Sequence, residues 1–275
     1  MKRIITSTSN EEIKRIRKLK NKKERDANGL FFIEGIHHVI EALDQGAEFE
    51  KLIFCPEILR SEIGLKVVNS EKTRNIDVIQ VSEMVFQTLA SKEGPQGLAA
   101  TIHQKYYLLE DIGKEDRGIW ILLEGVQDPG NLGSILRSMD AVGGRGIVLL
   151  NDTTDAYHPT SVRASMGAIF TQNIIRTNID DFIIWKKKNN FLLIGAICGD
   201  GIDYNKVQYP SKMILALGSE QKGLSQEVMA ICDILINIPM IGHVDSLNLS
   251  NSASIILYEI FNQQRMNINI EKGSL

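Results

Sequence analysis

The sequence predicts an α/β protein of two units, a small α/β unit followed by a larger one with a parallel sheet. Short strands alternate with helical segments over the first hundred residues, a polar stretch follows, and the alternation then restarts with more apolar strands. Continuous apolar runs separated by helices are typical of a parallel sheet covered on both faces. We place the units at residues 1–105 and 119–275, joined by a linker at residues 106–118.

The first unit is predicted to begin with a helix over residues 10–25. Gly35 opens and Gly46 closes a second helix, and Ser82 can cap a third. The turn at Glu-Gly-Pro-Gln-Gly precedes the last strand of the unit. The predicted strands are residues 30–33, 51–55, 77–82 and 98–102.

The second unit is predicted to contain five apolar strands, each bounded by turn residues. The strands are residues 119–125, 146–150, 191–197, 213–218 and 234–239. The predicted helices are residues 131–142, 160–169, 180–189, 225–231 and 248–264.

Composition excludes several classes of protein. The three cysteines are far apart and odd in number, which argues against a disulfide framework and for a reducing compartment. With no Cys-x-x-Cys pair and no metal-ligand spacing among the five histidines, we expect no metal site. The polar amino terminus does not resemble a signal peptide, and no apolar run approaches the roughly 20 residues of a membrane helix. We expect a cytoplasmic protein without a membrane partner.

Positive charge is concentrated at the amino terminus. Residues 1–25 contain ten Lys or Arg and three Glu, a net charge of +7, which leaves -10 for the rest of the chain. Most of these cations lie in residues 14–25. A basic arm on an acidic body indicates either local contact with phosphates or a solvated helix face.

Three strand-to-loop transitions of the second unit are rich in Gly, Asn, Ser and acidic residues. In residues 122–143, Asp128 starts a turn and Asn131 can cap the helix that follows. Arg137 comes six residues later in a small and apolar helix, where we expect it to be buried and to need an anionic partner. Glu124, at the end of the strand, either faces the site or is solvated.

The other two transitions place polar residues at the ends of later strands. Residues 216–225 carry Glu220 in a glycine-rich loop that is also a common strand-loop-helix joint. Residues 238–259 carry Ser246 and Asn248, either of which can be a simple helix cap. Loops at the carboxyl ends of parallel strands are where an open α/β sheet binds a nucleotide-like ligand.

Together and in this order, the three segments resemble the signature of the SPOUT superfamily of RNA methyltransferases, in its SpoU or TrmH-type ribose 2′-O branch. The resemblance covers about residues 118–265. Phe-Phe-Ile-Glu-Gly-Ile-His-His-Val-Ile-Glu-Ala-Leu, residues 31–43, resembles the ribosomal-protein-like substrate-binding domain that often precedes it. Two positions depart from the family pattern: Gln221 stands where the family usually has Gly, and Asn251 where it has an apolar residue.

The resemblance implies S-adenosylmethionine-dependent 2′-O-methylation of an RNA ribose by a homodimer joined through its carboxy-terminal domains. It also implies a deep trefoil knot in that domain. The catalytic residues it implies are Arg137, Asn131, Glu220, Ser246 and Asn248. The cofactor-binding residues it implies are Leu217, Gly218, Ile238, Met240 and Leu247.

With this resemblance, the basic residues become candidates for RNA contact. The candidates are Arg15, Arg17, Lys18, Lys22, Lys23, Arg25 and Arg163. Because related enzymes that act on tRNA usually lack the front domain, large-subunit ribosomal RNA is favoured as the substrate. A tRNA methyltransferase and a non-catalytic RNA-binding or ribosome-assembly protein are the alternatives, and the sequence leaves open a housekeeping or an antibiotic-resistance role.

Overall fold

The computed structural model describes residues 4–90, 94–113 and 118–273, with side chains as far as Arg265. The chain divides into two units. One contains Met1–Lys105 and Tyr157–Phe170, and the other contains Tyr106–Ala156 and Thr171–Leu275. Each unit has its own sheet, which confirms the predicted α/β class.

The first unit is built on a five-stranded mixed sheet with the strand order β1-β4-β3-β5-β2. β5 runs antiparallel to both of its neighbours, and the other pairs are parallel. Its elements from the amino-terminal part of the chain are β1 (Ile4–Ile5), α1 (Glu11–Lys18), α2 (Lys22–Asn28), β2 (Leu30–Glu34), α3 (Ile36–Asp44), β3 (Phe49–Phe54), α4 (Glu62–Val68), β4 (Asp77–Val81), α5 (Glu83–Leu89) and β5 (Leu98–His103).

The basic segment forms two helices, α1 and α2, where one helix over residues 10–25 was predicted. Asn10 caps α1, and its side chain accepts a hydrogen bond from the backbone N–H of Glu12 over 2.9 Å. Asn21 then caps α2 in the same way, since its side chain accepts from the N–H of Lys23 over 2.9 Å. A second cap satisfies the backbone donors of a new helix start, so the chain restarts instead of continuing.

The second part of the chain forms a seven-stranded sheet with the strand order β10-β12-β9-β11-β6-β7-β8, in which every neighbouring pair is parallel. The predicted parallel sheet is therefore confirmed. Its elements are β6 (Gly118–Glu124), α6 (Pro129–Ala141), β7 (Gly146–Leu150), α7 (Pro159–Ser165), β8 (Asn173–Thr177), α8 (Ile179–Asn189), β9 (Leu192–Ala196), β10 (Ile202–Asp203), β11 (Lys212–Leu217), α9 (Gln226–Ile231), β12 (Ile234–Asn237) and α10 (Leu249–Gly273). The trefoil knot stays a prediction.

The stretch predicted as a polar linker packs into the second unit. Leu109 and Ile112 are buried in the same apolar cluster as Trp120 and Phe182. The backbone N–H of Tyr107 donates to the carbonyl of Ile174 over 2.8 Å. Two apolar residues within a polar sequence therefore anchor the start of this unit.

α7 belongs to the first unit, although it follows β7 in the chain. It was predicted as a helix over residues 160–169, but it ends at Ser165 because Met166 adopts a left-handed conformation with φ of 50°. The ring of Tyr157, just before α7, lies 4.6 Å from that of Phe31 on β2. Within the described ranges, no helix has the length and apolar character needed to cross a membrane.

Candidate active site

Three segments at the carboxyl end of the parallel sheet bring predicted polar residues together. β6 and β11 are neighbours in the sheet, and the chain leaves them through the segments that carry Asn131 and Glu220. Asn248 lies in the loop that leads into α10. Because parallel strands end at one edge, this is where such a sheet binds its ligand.

α6 begins at Pro129, two residues before its predicted cap, Asn131. The capping residue is Asp128, whose Oδ1 accepts from the N–H of Gly130 over 2.7 Å, and Pro129 occupies the first helical position. Asn131 therefore lies inside the helix, contrary to the prediction that it caps α6, and its side chain is buried. This position frees the Asn131 amide for partners from other loops.

The side chains of Asn131, Glu220 and Asn248 form one chain of hydrogen bonds. Asn131 Nδ2 donates to Glu220 Oε1 over 2.7 Å, and Asn248 Nδ2 donates to Asn131 Oδ1 over 3.0 Å. Asn131 is 7% exposed, whereas Glu220 and Asn248 face solvent. Glu220 Oε2 accepts no hydrogen bond from any described residue, so it is open to a donor on a bound molecule.

Arg137 is exposed, and the prediction that it is buried against the sheet was wrong. The buried face of α6 carries Leu132, Leu136 and Met139. At about 100° per residue, Arg137 lies about 140° round the helix from Leu132 and therefore faces away from the core. Within the part of the chain that the structure describes, no hydrogen bond or ion pair engages its guanidinium, which leaves it accessible to an anion.

The residues assigned to the cofactor lie in two loops, at the ends of β11 and β12, with β9 between these strands. Leu217 and Gly218 are buried at the end of β11. In the longer loop after β12, Ile238 and Leu247 are half-buried and Met240 is exposed. Apolar side chains and bare backbone therefore share the edge of the sheet with the polar network.

Gly218 is required by the closure of its own loop. A Cβ atom at this position would lie 1.9 Å from the carbonyl carbon of Gly223. Ser219 and Gly223 close the loop with backbone hydrogen bonds in both directions, over 3.2 and 2.9 Å. The absent side chain thus sets the shape of the loop that presents Glu220.

Two further predicted positions differ in their contacts. Glu124 Oε2 accepts from the backbone N–H of Ser225, the cap of α9, over 2.8 Å, so this acid is a structural anchor. Ser246 is exposed in the loop after β12 and has no hydrogen bond to any described residue. The structure therefore does not bring Ser246 into the network.

Arg25 is a structural residue, and its assignment to RNA contact is corrected. It is 1% exposed, and its Nη1 donates to the carbonyls of Leu19 and Lys20, each over 2.8 Å. These carbonyls lie at the carboxyl end of α1, where helix carbonyls lack partners in the helix. A guanidinium held in this way is unavailable to phosphate.

The other cations of the basic arm divide into two groups. Arg15 Nη2 pairs with Glu50 Oε1 over 2.6 Å, and Arg17 Nη2 donates to Thr88 Oγ1 over 3.0 Å. Both are half-buried. Among the RNA-contact candidates of the arm, the exposed cations are Lys18, Lys22 and Lys23.

Arg163 lies on α7 in the first unit and is half-buried. Its Nη2 approaches Thr160 Oγ1 over a long 3.4 Å. Together with Glu34 and His38 it lines a small cavity of that unit. This position leaves part of the guanidinium accessible to a phosphate.

The cysteines lie outside the polar network. Burial raises the pKa of Cys55 to about 11 and that of Cys232 to about 12, so both thiols are neutral near pH 7. Cys198 is exposed in the loop that follows β9. Nowhere in the described ranges do three His, Cys, Asp or Glu side chains converge as a metal site.

Sequence reasoning missed two residues that hold the site loops. Thr153 Oγ1 accepts from the N–H of Gly125 over 2.9 Å and so fixes the turn between β6 and α6. Ser250 Oγ donates to Asn248 Oδ1 over 2.7 Å. Both are small hydroxyl residues in polar segments, and only their partners, not their sequence context, distinguish them from ordinary caps and turns.

Comparison with known proteins matches the front and the rear of the chain to two different families. Residues 118–258 match the SpoU rRNA methylase family, and residues 10–100 match the MRM3-like substrate binding domain. A putative TrmH family tRNA/rRNA methyltransferase of Staphylococcus aureus is 34% identical over 239 residues, which are 84% of this chain and 96% of that protein.

Two further relatives cover almost the whole chain. The 23S rRNA (guanosine(2553)-2′-O)-methyltransferase RlmP of Bacillus subtilis is 28% identical, over 93% of this chain and 98% of its own. The crystal structure of an AdoMet-bound rRNA methyltransferase from Sinorhizobium meliloti superposes with a TM-score of 0.84 and 36% identity, covering 94% of this chain and 97% of that one. The protein therefore belongs to the SpoU rRNA methylase family.

Proposed function

We propose that this protein transfers a methyl group from S-adenosylmethionine to the 2′-hydroxyl of a ribose in large-subunit ribosomal RNA. The observation that carries the proposal is the network of Asn131, Glu220 and Asn248, which come from the start of α6, the loop after β11 and the loop before α10. An accessible guanidinium, Arg137, lies on the same helix as Asn131. A carboxylate oxygen and a cation open to ligands suit a substrate that carries both hydroxyls and phosphates.

The relatives support the reaction and the substrate class. The protein from Bacillus subtilis is named for 2′-O-methylation of a guanosine in 23S rRNA. The structure from Sinorhizobium meliloti is that of an rRNA methyltransferase with AdoMet bound. The match to a substrate-binding domain over residues 10–100 favours a structured RNA, which proteins recognise by shape and by unstacked nucleotides.

The loops after β11 and β12 fit the methyl donor. The half-buried apolar side chains of Ile238 and Leu247 suit an adenine ring, and the bare backbone at Gly218 supplies N–H and C=O groups. Leu217 and Met240, which lie next to these residues along the chain, complete the set assigned to the methyl donor. S-adenosylmethionine supplies an electrophilic methyl group, so the chain itself has to hold and orient the attacking hydroxyl.

Arg137 acts as an electrostatic group in this proposal. A guanidinium stays protonated at any pH the protein meets, so it is a poor proton acceptor. It binds the phosphate next to the target ribose and stabilises negative charge that develops on the ribose oxygen. Glu220 Oε2 accepts a hydrogen bond from the substrate or from a guanidinium, Asn131 and Asn248 hold Glu220 in place, and Ser246 lines the donor and acceptor sites.

RNA contact outside the active site falls to exposed cations. Lys18, Lys22 and Lys23 are available on the basic arm, and Arg163 contributes from α7. Such contacts add affinity that depends on salt and not on sequence. Arg15 and Arg17 contribute only when their internal bonds are exchanged for phosphate.

We also propose that the protein is a cytoplasmic homodimer joined through the carboxy-terminal unit. Ile241 and Val244 are strongly exposed in the loop after β12, and Tyr258 is 48% exposed on α10. Contiguous exposed apolar side chains are typical of interfaces, and these three residues are the candidates for such a patch. Analytical ultracentrifugation of the protein and of an Ile241→Asp, Tyr258→Asp variant tests this, with a monomeric wild type as the contrary result.

The direct test of function is transfer of a radiolabelled methyl group from S-adenosylmethionine to unmodified large-subunit rRNA, small-subunit rRNA and tRNA. We expect label in large-subunit rRNA only, stable to alkali at one ribose, and none with Arg137→Ala. Lys188→Ala, an exposed cation on α8, is the matched control and keeps wild-type transfer.

Each other outcome favours a different function. Label in tRNA alone overturns the proposed substrate in favour of a tRNA methyltransferase. RNA binding without donor binding in calorimetry overturns catalysis and favours a ribosome-assembly protein. Near-normal turnover of Arg137→Lys refutes the need for a forked guanidinium at this position.

A further inference from the structure

The first turn of α10 fixes the orientation of the Asn248 amide. Asn248 Oδ1 lies 2.9 Å from the backbone nitrogen of Ser250, 2.7 Å from Ser250 Oγ and 3.4 Å from the backbone nitrogen of Asn251. A backbone N–H can only donate, so the Asn248 atom that it meets must be the oxygen.

The orientation of the Asn248 amide determines how Asn131 is oriented towards Glu220. With its oxygen on α10, Asn248 turns its NH₂ group towards Asn131 Oδ1. Asn131 must then turn its own NH₂ group towards Glu220 Oε1. A flipped Asn248 would set its NH₂ group against the N–H groups of α10 and its oxygen against Asn131 Oδ1, so the network has one direction, from α10 to the carboxylate.

Contacts of the Ser250 backbone hold this residue beside Asn248. Its carbonyl accepts a hydrogen bond from Ser254 Oγ over 2.8 Å, one turn further along α10. Ser254 Oγ also lies 2.8 Å from Ser138 Oγ on α6, the helix that carries Asn131. The backbone of Ser250 is therefore held by contacts that join the two helices of the site.

We propose that Ser250 is a positioning residue of the methyl transfer reaction, which sets the rotamer of Asn248 through its hydroxyl and thereby aims Glu220 Oε2 at the substrate. The inference rests on the proposed function. Ser250 acts through Asn248 and Asn131 and touches neither substrate nor donor.

The test compares Ser250→Ala, Ser250→Thr and Ser252→Ala. Ser252 lies two residues along α10, is half-buried, and its hydroxyl bonds to no described residue, so it is the matched control. Loss of one neutral hydrogen bond predicts a fall of about tenfold in kcat for Ser250→Ala, with the KM for S-adenosylmethionine changed less than about twofold. Ser250→Thr keeps a hydroxyl and restores most of kcat, and Ser252→Ala matches the wild type.

A second readout does not depend on activity. The side-chain amide signals of Asn131 and Asn248 are assigned in nitrogen-15 NMR spectra through Asn131→Ala and Asn248→Ala. We expect Ser250→Ala to shift both signals and Ser252→Ala to leave them unchanged. Unshifted signals in Ser250→Ala overturn the role of Ser250, whereas shifted signals in a protein that methylates no RNA overturn the proposed function alone. Equal loss of kcat in Ser250→Ala and Ser252→Ala also overturns the inference, because it indicates general damage to α10.

Discussion

Replacing Asn131 by aspartate probes the centre of the network without changing the size of the side chain. In the protein, Asn131 Nδ2 donates to Glu220 Oε1 over 2.7 Å. Asn131→Asp removes this donor and sets a second carboxylate against the first. The hydrogen bond from Asn248 to the other oxygen of residue 131 can remain.

The expected loss follows from the separation of the two carboxylates. Two like charges about 4 Å apart repel by about 4 kcal/mol at an effective dielectric constant of about 20. Glu220 is exposed, so water screens the repulsion, and we take about half of it, about 2 kcal/mol. That free energy corresponds to a fall of about 30-fold in kcat/KM.

The assay is methyl transfer to RNA measured from pH 5.5 to 8.5, as the ratio of wild type to variant. A shared proton restores a hydrogen bond between the carboxyls, so the ratio shrinks as the pH falls. Asn251→Asp, at an exposed position on α10, is the control for an added charge. The double variant Asn131→Asp, Glu220→Gln has a new amide donor at position 220. It shows whether a hydrogen bond between the side chains of residues 131 and 220 is enough to restore activity. A kcat/KM of Asn131→Asp within twofold of the wild-type value at pH 8 refutes the expected repulsion.

Three other perturbations test separate parts of the structure. Arg25→Ala leaves buried backbone carbonyls without their donor and should lower the free energy of unfolding, measured in urea, by about 3 kcal/mol. Lys23→Ala should instead keep the stability and weaken RNA binding at low salt. Equal free energies of unfolding for Arg25→Ala and the wild type contradict the structural role of Arg25. An alkylating reagent should label Cys198 fast and Cys232 slowly at pH 7.5, because burial raises the pKa of Cys232 to about 12. Since β9 lies between β11 and β12, S-adenosylmethionine bound to the loops after those two strands should protect Cys198 in the loop after β9. Mass spectrometry that finds no protection contradicts this placement of the donor. Gly218→Ala should reduce donor affinity more than about tenfold in calorimetry, since its Cβ would meet Gly223 at 1.9 Å, and an unchanged affinity contradicts the need for loop closure.

Hydropathy predicts the parallel sheet well because strands that are buried on both faces consist of continuous apolar runs. Two strands escaped this reasoning for physical reasons. β8, Asn173–Thr177, carries a polar residue at each end and an arginine, Arg176, which pairs with Asp155 over 2.9 Å. β10, Ile202–Asp203, is a two-residue edge strand, too short to show any periodicity.

Helix ends were predicted less well than helix existence, because caps compete locally. Asn10 and Asn21 both cap helices within a segment that reads as one basic helix. Asp128 takes the cap that Asn131 had been expected to provide, since Pro129 suits the first helical position. Sequence alone shows that capping residues are present, but not which of two neighbours the backbone uses.

Residue types at strand ends predict where the site lies, and long-range contacts decide what each residue does there. The hydrogen bonds that join Asn131 to Glu220 and to Asn248 span 89 and 117 residues of sequence. Local sequence patterns do not predict contacts over such separations. The sequence therefore identifies these three residues as candidates, but it does not identify their hydrogen-bond partners. The direction of the network comes from a still more local fact, the donors of the first turn of α10, which are the Ser250 hydroxyl and the backbone N–H groups of Ser250 and Asn251. If Glu220 has to present one particular oxygen to the substrate, then the start of α10 is part of the catalytic geometry, and a change of helix register there should impair methyl transfer as much as loss of a polar side chain.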